Sequence, residues 1–153
     1  MKLKQSNFLR LIIILFLVII GACKNTEPGS MDGLNSTIQL HFEAIQNRDI
    51  NSLINTISET DITLILPNGK YTKSTGEYIS VNEDWFADRN WSINYEIVDK
   101  KLKNNIAIVL SKINYLDKNE DGEEYSFEYY LTLIFENIHG EWKLIFDQNT
   151  GIK

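Results

Sequence analysis

The chain has 153 residues and a formal net charge of −6, with 21 acidic residues against 15 basic ones. A surface of that sign repels nucleic acid and anionic headgroups, so neither is an expected partner. One cysteine and two distant histidines leave no intramolecular disulfide and no zinc-type ligand set, and with no P-loop, GxGxxG or Ser/His/Asp order in view, no metal and no cofactor are expected.

The first 22 residues differ from the rest. Their only charges are Lys2, Lys4 and Arg10, and every residue from Leu11 to Ile20 is Leu, Ile, Val or Phe. That run is about half the length a spanning helix needs, and a basic start, a short apolar stretch and small residues describe an export signal. Ile20-Gly21-Ala22-Cys23 resembles the lipobox of bacterial lipoproteins, in which the cysteine is acylated and becomes the mature N-terminus. The resemblance implies a signal peptide over 1–22, lipidation at Cys23 and an exported protein anchored to a membrane of the cell envelope. Several acyl chains on one residue give stable anchoring, because each buried CH₂ contributes about 0.8 kcal/mol. Cleavage would leave 12 basic against 21 acidic residues, a net charge of −9, on a mature chain of one-domain size. Residues 24–33, with Pro28, Gly29, Ser30 and Gly33, read as a flexible tether.

From Leu34 the pattern turns helical: Leu34, Ile38, Phe42 and Ile45 recur at helical spacing. Asp49 is placed to cap a second short helix with Leu53, Ile54 and Ile57 on its apolar side. Asp61–Pro67 reads as a strand closed by the turn Pro67-Asn68-Gly69, and a third helix is expected from Thr75 to Asp88, with Tyr78, Ile79, Trp85 and Phe86 inward. The remainder is β. Trp91–Ile97 alternates with a period of two, and strands over 106–115, 125–136 and 142–150 follow, joined by short polar connections. The two central strands carry apolar residues on both faces: Ile106, Ile108 and Leu110 against Ala107, Val109 and Ile113, and Leu131, Leu133 and Phe135 against Tyr130 and Ile134. Helices cover only one face, so a homodimer through the other is expected.

The order of these elements resembles the NTF2-like superfamily, in its SnoaL-like or ketosteroid-isomerase-like branch. The residues that carry the resemblance are Arg48-Asp49, Asp61 through Gly69, Gly76, and the closing run Trp142 to Thr150. It covers 34–153 and implies an α+β cone, a curved antiparallel sheet wrapped around about three N-terminal helices, which often holds a small molecule and often pairs through its sheet. Catalytic residues carry over poorly. Where ketosteroid isomerases place a tyrosine on the first helix this chain has His41, and where they place the aspartate base it has Leu66, which cannot abstract a proton. The closing strand also resembles the association domain of calmodulin-dependent kinase, whose histidines fall at Phe146 and Gln148. No catalytic set is assigned, and whether the protein is an enzyme stays open.

The expected ligand contacts are His41, Trp85, Trp91 and Gln148, lining a cone that takes a small amphipathic or apolar molecule. Each has a plainer alternative: a satisfied boundary histidine, core tryptophans, a strand end meeting solvent. In this reading Gln148 shares the inward face with Trp142, Leu144 and Phe146 by period two. Other readings are an isomerase, cyclase or dehydratase using His41, and a structural dimeric subunit of an envelope complex. Asp117 to Gly122 with Glu128 fits the calcium-loop pattern D-x-[DN]-x-[DN]-G-x₅-E, but its flanks are strands and Glu124 stands where an apolar residue is usual, so a polar hairpin tip is expected.

Overall fold

A computed structural model describes residues 29–152, so the signal peptide, Cys23 and residues 24–28 of the tether lie outside the described residues. The first helix, α1 (Met31–Asn47), begins three residues before Leu34. Ser30 is its N-cap, its hydroxyl accepting from Gly33 N at 3.1 Å, and Asp32 sits in the first turn where the helix dipole favours an acid. Residues 31–33, expected in the tether, are therefore helix. The tryptophan Nε1 of Trp142 donates to Ser30 O at 3.2 Å and ties this helix start to the sheet.

Leu34, Ile38, Phe42 and Ile45 are all buried, as their spacing predicts. Arg48 ends α1 in the left-handed region (φ 55°), with Arg48 N and Asp49 N donating back to Ile45 O and Ala44 O. Asp49 then caps α2 (Ile50–Ile54), accepting from Ser52 N at 3.1 Å. Leu53 and Ile57 are buried, but Ile54 is exposed: α2 stops after five residues, and Ile57 falls in a bridge to Leu144 rather than on the same helical face.

The first strand, β1 (Thr63–Ile65), is shorter than its apolar run, and Gly69 (φ 81°) supplies the left-handed residue of the turn that follows. In α3 (Thr75–Ala87), Ser74 accepts from Glu77 N at 3.2 Å while Glu77 accepts from Lys73 N at 2.6 Å, a reciprocal cap. Four strands follow: β2 (Ser92–Lys103), β3 (Ile106–Lys118), β4 (Glu124–Ile138) and β5 (Glu141–Gly151). The sheet is ordered β1-β5-β4-β3-β2, with β1 parallel to β5 and every other pair antiparallel. It is curved and unclosed, an α+β cone over the three described helices, with Phe42, Val109, Leu133, Phe135 and Leu144 at the centre of the core.

One irregularity sets the chemistry of the site. In the β4–β5 pairing Phe135 faces Leu144 and Ile134 faces Phe146, so Ile145 is an extra residue. Such a bulge reverses which side every later residue faces. Trp142 and Leu144 point into the cone, and after the bulge Asp147 and Asn149 do so, opposite the inward Leu133 and Leu131. Phe146 and Gln148 turn to the outer face beside Ile134 and Thr132.

Candidate functional site

The cone holds a cavity of about 310 Å³ between α3 and the sheet. Its buried wall is Ile45, Leu64, Tyr78, Ile93, Tyr129 and Leu131, together with the polar Asn82 and Asp147. Its partly exposed rim runs from Leu66 and Pro67 at the end of β1, over Val81 and Trp85 of α3, to Tyr115 and Phe127 on the β3–β4 hairpin. Volume and composition are those of a small-molecule pocket: apolar and aromatic walls with few polar groups.

Asp147 is the one charged residue among those lining this cavity. Burial pushes its carboxyl up from the ordinary 3.8 to about 7, because an apolar wall penalises the anion. Its described partner is Asn149, whose Nδ2 lies 3.5 Å from Oδ1 and also donates to Ile65 O at 3.2 Å. The carboxyl faces Tyr78 of α3 and Tyr129 of β4, whose phenols are pushed up by burial and further by Asp147. Asn82 donates to Tyr78 O at 2.8 Å and lines the same wall beside Tyr78. This arrangement can accept or donate one proton near neutral pH, or pair with a complementary group on a ligand.

An aromatic series leads from core to rim. Trp91, fully buried, stacks on Trp85 at 4.1 Å between ring centroids and donates to Trp85 O at 2.9 Å. The Arg48 guanidinium lies 4.1 Å over the Trp91 ring and donates to Trp91 O, fixing the indole from behind. Tyr115 contacts Phe127 at 4.9 Å, and Phe127 contacts Tyr129 at 5.9 Å. Asp117 accepts from the hydroxyls of Tyr115 (2.8 Å) and Tyr125 (3.1 Å), anchoring the hairpin end of this row.

The structure brings one of the four expected ligand contacts, Trp85, to the cavity wall. Trp91 is the layer behind it, and Gln148 is on the outer face because of the bulge at Ile145. His41 is fully buried in the core, edge-on to Phe42 and Phe135. The Thr56 hydroxyl donates to Leu53 O at 2.7 Å, so at 2.8 Å His41 Nδ1 must be the donor to Thr56 Oγ1, leaving Nε2 a bare, unpartnered acceptor among the described residues. Burial lowers its pKa to about 4, and it is neutral. Asp147, Asn149 and Asn82 are the polar groups that sequence reasoning missed. A period of two counted from Trp142 assigns Asp147 to the wrong side, and only the bulge corrects it.

The calcium-loop pattern is divided across the sheet. Asp117 faces inward to its two tyrosines, while Glu128 sits on the outer face, 2.8 Å from Lys112 Nζ. Between them Asn119 Oδ1 accepts from Asp121 N and Glu123 N, and Gly122 (φ 81°) completes a hairpin tip. Among the described residues no cluster of three or more His, Cys, Asp or Glu is positioned to hold a metal.

Residues 34–148 match the family model described as a SnoaL-like domain. A comparison with curated proteins finds no match. Among solved structures, the chain is similar to a ketosteroid isomerase-like protein from Erwinia carotovora atroseptica, at 18% identity and a TM-score of 0.69 over 80% of this chain and 96% of that one. It is also similar to an NTF2-like superfamily protein from Salmonella enterica, at 10% identity and 0.68 over 80% and 90%. A third is a candidate dehydratase of the NTF2-like family from Streptomyces avermitilis, at 14% identity and 0.67 over 80% and 96%. At these identities the structures speak to the fold, while the family match spans most of the chain. With its cone, three described helices and curved five-stranded sheet, the chain belongs to the SnoaL-like domain family, on the NTF2-like fold.

Proposed function

We propose that this protein is a lipid-anchored binding domain of the cell envelope whose cone takes up a small, largely apolar molecule. The observation that carries the reading is the cavity of about 310 Å³, apolar and aromatic on its walls, with Asp147, Asn149 and Asn82 as its polar groups. Apolar walls supply affinity and a few polar groups supply orientation. Anchoring rests on the basic start, the apolar run and Gly21-Ala22-Cys23. Six residues lie between Cys23 and Ser30, a span of seven steps that reaches at most roughly 25 Å, so the domain works close to the membrane surface. The outer face presents Ile106, Ile108, Leu110, Tyr130, Ile134 and Phe146 across three adjacent strands, and in this reading a second copy covers it.

The test is native purification from the envelope, followed by mass spectrometry of what co-purifies. A defined small molecule present with the natural chain and absent from Val81→Trp, which fills the cavity from its rim, supports the reading. Recovery of the same molecule from both chains overturns it.

A second reading is an enzyme that moves one proton. It is favoured by the position of Asp147: a carboxyl held near a pKa of 7 on a cavity wall is suited to general acid–base work at neutral pH. The ketosteroid isomerase-like and candidate dehydratase neighbours make that chemistry a natural comparison. His41, locked in the core, is not the group for it. Incubation with metabolite extract separates the two: a binding domain returns its ligand unchanged, whereas an enzyme depletes one compound, and Asp147→Asn stops that loss.

A further inference from the structure

We infer that the molecule held in the cone is a cation, a small organic amine or ammonium with an apolar or aromatic body, paired to Asp147. The inference rests on the binding reading above and narrows it to a ligand class. Asp147 is 7% exposed and the one charged group on the cavity wall, and no basic side chain of the described residues lines that cavity to neutralise it. Its one described hydrogen bond is the long contact from Asn149. A buried carboxyl without a counter-ion is destabilising on its own, and the missing partner can come from a ligand.

The rest of the wall suits the same ligand. Tyr78 and Tyr129 lie close to Asp147, and Trp85, Tyr115 and Phe127 line the same cavity toward its rim. Aromatic faces attract cations, most strongly where water is excluded. Asn82 adds a neutral, uncharged polar group to the same wall and no competing positive charge. At long range, an excess of 21 acidic over 12 basic residues beyond Ala22 draws cations toward the domain. An anionic ligand would meet the reverse at each of these levels.

A series of probes sharing one aromatic body decides this: phenethylamine, 2-phenylethanol and 3-phenylpropionate, titrated into the purified full chain with Trp fluorescence and calorimetry as readouts. The amine should bind about ten- to hundredfold tighter than the alcohol at alkaline pH, the range of a charge-assisted over a neutral hydrogen bond, and the acid weakest of all. Because the amine pairs with the ionised carboxyl, its affinity should fall about tenfold from pH 8 to pH 6 with release of a proton, while that of the alcohol should not. The titratable groups facing Asp147 are Tyr78 and Tyr129, and neither ionises in that range, so the proton is assigned to the carboxyl. Asp147→Asn, which keeps size and shape, should abolish both the preference for the amine and its pH dependence. Equal or tighter binding of the alcohol overturns the cation inference and leaves the pocket standing. Failure of all three probes to bind overturns the inference and counts against the pocket as well.

Discussion

Replacing Asp147 by Asn should stabilise the empty domain, by an amount that depends on pH in a way that can be worked out. The folded carboxyl has a pKa of about 7 against an ordinary 3.8, so between those values the native state holds a proton that the unfolded state has released. Stability from this group is therefore full below about pH 4 and lost as pH rises to about 7. At about 1.4 kcal/mol per unit, the accumulated cost above pH 7 is about 4 kcal/mol, an upper value because relaxation and water entry moderate burial. His41 acts in the opposite sense. Its pKa falls from 6.5 to about 4, so unfolding takes up a proton between those values and stability rises with pH across them, by about 3 kcal/mol. From about pH 4 to 6.5 the two slopes cancel in the natural chain. Asp147→Asn removes one and uncovers the other. Urea denaturation at a series of pH values should show the variant equal to the natural chain near pH 4 and more stable by roughly 2–4 kcal/mol near pH 8. A difference that does not grow with pH, or a variant less stable at pH 8, would refute the placement of Asp147 in an apolar cavity.

Three further outcomes are expected. Cys23→Ser should shift the protein from the membrane fraction to an unlipidated precursor or a soluble species, read by fractionation and intact mass; a processed protein still wholly in the membrane would rule out lipidation there. Asp117→Ala removes the acceptor of two tyrosine hydroxyls and should cost about 1–3 kcal/mol in a thermal melt, whereas the neighbouring Asp121→Ala should stay within about 0.5 kcal/mol. Light scattering should give twice the monomer mass at tens of micromolar protein; Tyr130→Glu on the outer face should return it to a monomer, and Leu131→Glu on the inner face should instead unfold it.

Where a physical signal is local and periodic, the sequence is enough to find the element. The stripe from Leu34 to Ile45, the cap at Asp49, the turn at Gly69 and the alternation of β3 and β4 each need only neighbouring residues, and each is in the structure. The start of α1 is different. Ser30 caps a helix whose first turn, Met31-Asp32-Gly33, has no apolar rhythm, and what holds it is a contact from Trp142, more than a hundred residues away. Ile54 likewise looks apolar and helical, but its exposure depends on where α2 stops and on the bridge that Ile57 makes to Leu144.

The site was the least legible part, for one identifiable reason. Alternation along β5 predicts that Trp142, Leu144, Phe146 and Gln148 share a face, and the rule holds until a single residue, Ile145, is inserted against β4. Nothing in Leu144-Ile145-Phe146 distinguishes a bulge from a regular strand, because all three are apolar and fit either face. The consequence is a complete exchange: the amide of Gln148 leaves the cone and the carboxyl of Asp147 enters it. A pocket that would have offered a neutral donor and acceptor instead offers one ionisable acid among aromatic rings. The bulge thus determines the chemistry of the cone without contributing a side chain to it, since Ile145 itself is absent from the cavity wall. Deleting Ile145 removes the extra residue and leaves Leu144 and Phe146 adjacent, opposite Phe135 and Ile134. Asp147 should then stay inward against Leu133, and its pH-dependent behaviour should survive. Loss of that behaviour would refute Ile145 as the bulged residue.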